Sequence, residues 1–213
     1  MSTTRCLVGR LAFAGLLVVS AVVAAIVVGQ QISGDEPKQG PLVLLQPGNA
    51  RLTSAEDGKV ALVQFIDFGC EQCREAQEAV DELRNAYAGR ITFAVRNFPQ
   101  QRNSEAAARA AEAAGAQGKY EAMLHRLLDD QSAWKDHQGI EPTFLEFADQ
   151  LGLRVSKFHA DYNDPAVISR IRRDKQDGIT AGVTSVPAFF LNGQRLSVAR
   201  VAEMEDPIDD ALR

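Results

Sequence analysis

The sequence predicts an α/β domain split by an inserted block of helices. Three features predict it. A β-rich run at residues 60–66, VALVQFI, leads straight into a helical pattern whose first turn holds Cys70 and Cys73. A second β-rich run follows at residues 91–95, after which residues 103–181 turn helical. The β pattern then returns at residues 186–191 and doubles back at Asn192-Gly193, a two-residue hairpin signal.

Taken in order, the chain of 213 residues opens with residues 1–10, which carry Arg5 and Arg10, and continues into an uncharged, almost wholly apolar run at 11–29. At about 1.5 Å per residue that run spans roughly 28 Å, close to the hydrocarbon thickness of a bilayer. Arg5 and Arg10 precede it, and Asp35 and Glu36 follow it. The positive-inside rule therefore places residues 1–10 in the cytoplasm and the remainder outside. A cleaved signal peptide is the rival reading. The run is long for one and no Ala-x-Ala pattern follows, so an uncleaved signal anchor, one transmembrane helix, is expected. Cys6 precedes the run and reads as a spectator thiol. Residues 30–54 form a linker, polar and rich in breakers at 30–41, with an edge strand expected at 42–45 and loop and turn over 47–59. The folded domain is expected over 55–213.

Within that domain the 60–66 run reads as a buried strand. The helix after it is expected over 70–88, because Ala76, Ala79, Val80, Leu83 and Tyr87 recur at helical spacing and Gly89 stands where a helix ends. With the 91–95 run this makes a parallel strand–helix–strand unit, ended by Pro99. The insertion holds four or five helices. Ser104 and Glu105 open an Ala-rich one; Tyr120, Met123, Leu124, Leu127 and Leu128 form a second apolar face; Pro142 and Asp164-Pro165 mark later starts. Trp134, Phe144 and Phe158 are assigned to core packing. Arg170, Arg172, Arg173 and Lys175 alternate with Asp174 and Asp177, which reads as a solvated helix face. Residues 194–198 return antiparallel to 186–191, and Val201, Met204 and Ile208 predict a closing helix broken or restarted at Asp206-Pro207.

Composition narrows the function. Net charge is −5, and setting aside Arg5 and Arg10 leaves 21 basic against 28 acidic residues, net −7. No basic stripe appears, so nucleic acid is not an expected partner. A Cys-x-x-Cys pair can be half of a zinc site, but zinc needs four ligands; the only other cysteine is Cys6, and His125, His137 and His159 stand apart, so no metal is expected. A purely structural disulfide would close a two-residue gap and constrain the unfolded chain little. The strand–CxxC–helix context points instead to a thioredoxin-like redox site. A helix start offers unpaired N–H groups and partial positive charge, both of which favour the thiolate, the nucleophile of disulfide exchange. Cys70, first and more exposed, is the expected attacker, and Cys73, one turn in, the resolving thiol. An extracytoplasmic, cysteine-poor domain that keeps one such pair suits a redox catalyst better than a stapled scaffold.

The stretch Asp67-Phe68-Gly69-Cys70-Glu71-Gln72-Cys73-Arg74, the helical block, and the stretch from Gly182 through Val186-Pro187 to Asn192-Gly193 together resemble the DsbA-like thiol:disulfide oxidoreductases. The resemblance covers roughly residues 55–212 and implies a thioredoxin-like fold with a helical subdomain inserted at about 103–181. It implies a cis Val186–Pro187 peptide, with Val186 and Pro187 presenting backbone to an extended substrate segment. It implies no metal or organic cofactor. This sequence departs from the family pattern at two places. Many thioredoxin-fold enzymes carry a buried carboxylate six residues before the first cysteine, where this chain has Gln64, which cannot take a proton. The dipeptide between the cysteines is Glu71-Gln72, not the Pro-His of strong oxidants. Glu71 would place a negative charge beside the sulfur, at ~6 Å a repulsion on the order of 1 kcal/mol, while Arg74 would oppose it if folded back. A weaker oxidant than histidine-bearing relatives is therefore expected.

The function expected from the sequence is a membrane-anchored, extracytoplasmic thiol:disulfide oxidoreductase that forms disulfides in exported proteins and is restored by an unidentified membrane redox partner. The alternatives are a disulfide reductase for apo-cytochromes or metallochaperones, and a non-catalytic thioredoxin-like peptide-binding module.

Overall fold

The computed structural model describes residues 44–56 and 58–213. The expected cytoplasmic residues 1–10, the transmembrane anchor at 11–29 and the linker up to residue 43 lie outside the described residues. Among the described residues no helix is long and apolar enough to cross a membrane.

The strands are β1 (Ala50–Thr53), β2 (Ala61–Ile66), β3 (Thr92–Asn97), β4 (Ala188–Leu191) and β5 (Gln194–Arg195), in one mixed sheet of order β1-β3-β2-β4-β5. β2 and β3 run parallel, joined by α1 (Glu71–Ala86); β4 is antiparallel to β2. Between β3 and β4 come α2 (Ser104–Gly115), α3 (Tyr120–Asp129), α4 (Gln131–Trp134), α5 (Glu141–Gln150), α6 (Val155–Tyr162) and α7 (Pro165–Thr180). A 3₁₀ turn (Val201–Met204) and α8 (Glu205–Ala211) close the chain, so the expected closing helix is restarted at Glu205, just before Asp206-Pro207.

The central strands are buried because both faces are covered. Phe65 of β2 packs edge-on against Phe98 and Phe190, 6.2 and 5.6 Å between ring centres. Gly178 lets α7 approach that face: a Cβ there would fall 2.7 Å from Phe98 Cδ2 and 3.0 Å from Phe65 Cε1. By strand alternation Gln64 points to the opposite face from Phe65. Trp134, Phe144 and Phe158 are fully buried core residues. The hairpin turn has Asn192 at φ 49° and Gly193 at φ 81°, the conformation a two-residue turn needs to match strand twist.

Three expectations are corrected. The edge strand is Ala50–Thr53, inside the stretch read as loop and turn; Leu42 and Val43 lie outside the described residues, and Leu44 and Leu45 form no strand. The return strand is two residues long, because after Leu196 N–H donates to Phe189 O the chain leaves the sheet. The α7 cluster is not simply a solvated face. Asp174 is buried at 2% exposure because Arg96 of β3 brings it a guanidinium: Nε and Nη2 donate to Asp174 Oδ1 at 2.9 and 2.8 Å, and Nη2 also reaches Asp177 Oδ2 at 2.5 Å. Arg170 likewise pairs with the buried Glu112 of α2 at 2.6 Å. A charge removed from water is tolerated when it is paired and hydrogen-bonded, and this network ties α7 to β3 and α2.

Candidate active site

Cys70 is the N-cap of α1, with extended backbone (φ −84°, ψ 126°) and no side-chain cap on the helix. The first N–H groups of α1 are therefore left for the sulfur itself. Cys70 is 9% exposed and Cys73 fully buried, and both are free thiols. The Cys70 Sγ–H has two acceptors, Gln72 Oε1 at 3.2 Å and the Val186 carbonyl at 3.5 Å. Val186–Pro187 is a cis peptide. The structure thus brings together Cys70, Cys73, Gln72, Val186 and Pro187.

The two thiols are driven apart in acidity. The Cys70 pKa falls from 9.0 to about 6, first because the Cys73 thiol donates to its sulfur. The backbone N–H groups of Cys73 and Gln72 add to that, and together they outweigh burial and the Asp67 charge. Cys73 moves strongly upward, through its bond to Cys70 and then its burial. One sulfur, the less buried, is a thiolate at neutral pH and the other a fully buried proton donor.

Glu71 and Arg74, expected to pull the sulfur in opposite directions, instead pair with each other at the surface. Arg74 holds the Glu71 carboxyl below the usual range, and neither side chain is among the main influences on Cys70. The expected penalty from Glu71 is corrected accordingly: its charge is met by a neighbour on the same helix turn. Gln64 is 1% exposed, and neither its Oε1 nor its Nε2 has a hydrogen-bond partner among the described residues.

Other residues hold the site in place. Asp67, buried at the end of β2, accepts from Gly69 N–H at 2.7 Å, Gln100 N–H at 2.7 Å and Gln101 N–H at 3.0 Å, tying the cysteine loop to the segment after β3. Gly69 is pinned there, since a Cβ would sit 2.7 Å from Ser104 Oγ. From the helical block, Gln131 Nε2 donates to the carbonyls of Phe68 and Cys70 at 2.7 and 3.0 Å. Asn103 Nδ2 donates to the carbonyls of Trp134, Lys135 and His137 at 2.8 to 2.9 Å, securing α4 behind the site. Asp67 stood within the motif as an unexplained acid. Gln131 carried no signal, because its partners are more than sixty residues away.

One group of metal-ligand type occurs among the described residues, Asp81, Glu121 and His125. Arg84 already bonds both Asp81, at 3.2 Å, and Glu121, and His125 Nε2 lies 2.9 Å from Asp81 Oδ2, so these charges are met within the protein.

Beside the cysteines opens a groove of about 790 Å³, lined on one side by Gln72 and Pro187 and on the other by the chain that leaves β5.

Paired cysteines split in acidity at a helix start, a cis proline beside them, and a helical block inserted in the sheet form a thioredoxin-like fold with a redox-type Cys-x-x-Cys site. A family model described as Thioredoxin matches residues 49–210, and the chain belongs to that family. A thioredoxin-like oxidoreductase from Silicibacter pomeroyi DSS-3 is 27% identical with a TM-score of 0.66, the match covering 79% of this chain and 94% of that one. Wolbachia pipientis α-DsbA1 shares the fold at 18% identity and a TM-score of 0.69, over 80% of this chain and 94% of that one. Bacillus subtilis BdbD does so at 16% and 0.68, over 78% and 93%. In sequence, the Na(+)/H(+) antiporter NhaA of Herminiimonas arsenicoxydans is 33% identical over 197 residues, 88% of this chain and 31% of that protein. NhaA 1 of Mycobacterium sp. (strain KMS) is 33% identical over 172 residues, 77% and 27%. The chain spans less than a third of these curated relatives.

Proposed function

We propose that this chain is a membrane-anchored, extracytoplasmic oxidoreductase that passes its Cys70–Cys73 disulfide to exported proteins. The observation that carries the direction is the split between the thiols, with Cys70 lowered to about 6 and Cys73 raised. A stabilised reduced form makes its disulfide an oxidant. In the exchange a substrate thiolate attacks Cys70 Sγ, and the Cys70–Cys73 bond breaks. Cys73 leaves with the electron pair and takes a proton. A second substrate thiolate then attacks the substrate sulfur of the mixed disulfide and expels Cys70 as the thiolate, the better leaving group. Two electrons pass from substrate to protein; one proton ends on Cys73 and the other goes to solvent.

The apolar run at 11–29 supports anchoring, and the charge asymmetry around it supports an extracytoplasmic domain. Kinship with part of membrane antiporters is in keeping with a place at a membrane. An unidentified membrane redox partner would reoxidise the pair.

The test is trapping in cells. Cys73→Ala should accumulate mixed disulfides with exported proteins on non-reducing gels, adducts that vanish when Cys70→Ala is added. Equal trapping by both single variants would overturn the assigned roles, and adducts only with cytoplasmic proteins would overturn the location.

A further inference from the structure

The groove beside the cysteines carries a charge pattern at odds with the rest of the molecule. The chain is acidic, at −5 overall, yet among the described residues the charged ones lining this groove are Arg195 and Arg200 alone. Its walls are otherwise apolar or neutral, with Phe189, Leu196, Val201 and Met204 among them. Arg200 is answered by Glu203, 3.0 Å away and likewise exposed. Arg195 is not answered. Its Nη1 donates to the Gly182 carbonyl at 2.6 Å, which fixes the guanidinium, and among the described residues no carboxylate pairs with it. The groove rim therefore keeps a net positive charge.

The groove begins at residues that adjoin the reacting sulfur. Gln72, which lines it, accepts from Cys70, and Pro187, which also lines it, follows the carbonyl that faces Cys70. Arg195 pairs across the sheet with Phe190, three residues beyond Pro187 along the chain. At ~3.3 Å per residue, that register places Arg195 within reach of a side chain about two to four residues from a substrate cysteine held in extended form at Cys70.

Resting on the oxidoreductase reading above, we propose that this groove selects substrate segments carrying a carboxylate a few residues from the reactive cysteine, with Arg195 as the specificity-determining residue. A fixed guanidinium with free donors recognises a carboxylate by charge and by paired hydrogen bonds, and a like-charged segment is disfavoured. Apolar residues of the segment pack on the groove walls.

The test uses the full-length chain in detergent with Cys70 and Cys73 oxidised. Two dithiol peptides of identical core are compared, one flanked by aspartates and one by lysines on both sides of the cysteines. Each rate is normalised to the same peptide's rate with oxidised glutathione, which removes the effect of the flanks on the peptide thiols. The aspartate peptide is expected to react roughly fivefold to tenfold faster at low salt, with the ratio falling toward one near 0.5 M salt as the charges are screened. Arg195→Glu should invert the preference, which loss of packing alone would not do. A ratio of one or below in the unaltered chain, or a ratio unmoved by Arg195→Glu, overturns the proposal. Reduction of the oxidised chain by dithiothreitol keeps the two readings apart. If dithiothreitol reacts and the preference is absent, only the selectivity falls; if the pair cannot be reduced at all, the oxidoreductase reading falls with it.

Discussion

At the scale of the residue, the chemistry rests on one proton held by Cys73 and lent to Cys70. Thiolate absorbance of the reduced protein is expected to titrate with a midpoint near 6, far below the ordinary 9.0. In Cys73→Ala the principal donor is gone, so the Cys70 midpoint should move up toward that ordinary value; a midpoint that stays near 6 would leave the helix start as the sole cause. Glu71→Gln should barely move the same titration, since Arg74 already meets the carboxylate and both side chains are close to half exposed. A clear downward shift would restore Glu71 as a brake on the thiolate. Gln64 is a different case. A buried amide with neither atom partnered loses its hydration without compensation, so Gln64→Met, of similar volume, should raise stability to urea by about 1 kcal/mol. A loss of that size would show that the amide makes a bond that matters.

At the scale of the element, the cysteine loop is held from two sides, by Asp67 and by Gln131. Asp67→Ala would leave three N–H groups without their acceptor, that of Gly69 buried and those of Gln100 and Gln101 partly so, and a loss of about 2 kcal/mol in denaturant unfolding is expected. Because the Asp67 charge opposes ionisation of Cys70, the same change should lower the thiol midpoint while weakening the fold. A variant that loses stability and raises the midpoint would contradict the placement. The sequence showed α1, β2, β4 and the Asn192-Gly193 turn plainly, since periodicity, a glycine stop and turn chemistry are local properties. β1 was hidden because Ala50–Thr53 is an edge strand of four residues, too short for its alternation to stand out, half-covered and recognisable only by its pairing with β3. Asp174 looked like solvated charge because its partner Arg96 lies 78 residues away. A separation of more than sixty residues hid Gln131 in the same way, whereas Cys70 and Cys73 carried their signal within a few residues and Pro187 drew its role from the family resemblance.

At the scale of the whole molecule, the acidity of Cys70 links folding, redox state and pH. In the folded reduced protein the thiol ionises near 6, while in the unfolded chain it ionises near the ordinary 9.0. Between those values the unfolded state holds a proton that the folded state has released, so stability rises with pH, at most by about 1.4 kcal/mol per pH unit. The contribution is fully present above the unfolded value and is lost as pH falls through about 6. In the oxidised protein the Cys70–Cys73 pair has no thiol to titrate, and the small constraint its disulfide places on the unfolded chain does not depend on pH. The difference in melting temperature between reduced and oxidised protein should therefore grow in favour of the reduced form from pH 5 to pH 8, whatever its absolute value. Thermal melts of both forms across that range measure it, with Cys70→Ser, which forms no such disulfide, as the control whose melting temperature should follow the pH dependence of the oxidised protein. Because folding and reduction share one cycle, a reduced form that gains stability with pH also makes the disulfide a stronger oxidant than an ordinary dithiol pair at neutral pH. A flat difference across the range would mean that Cys70 stays protonated in the fold, and the oxidising direction would lose its physical basis.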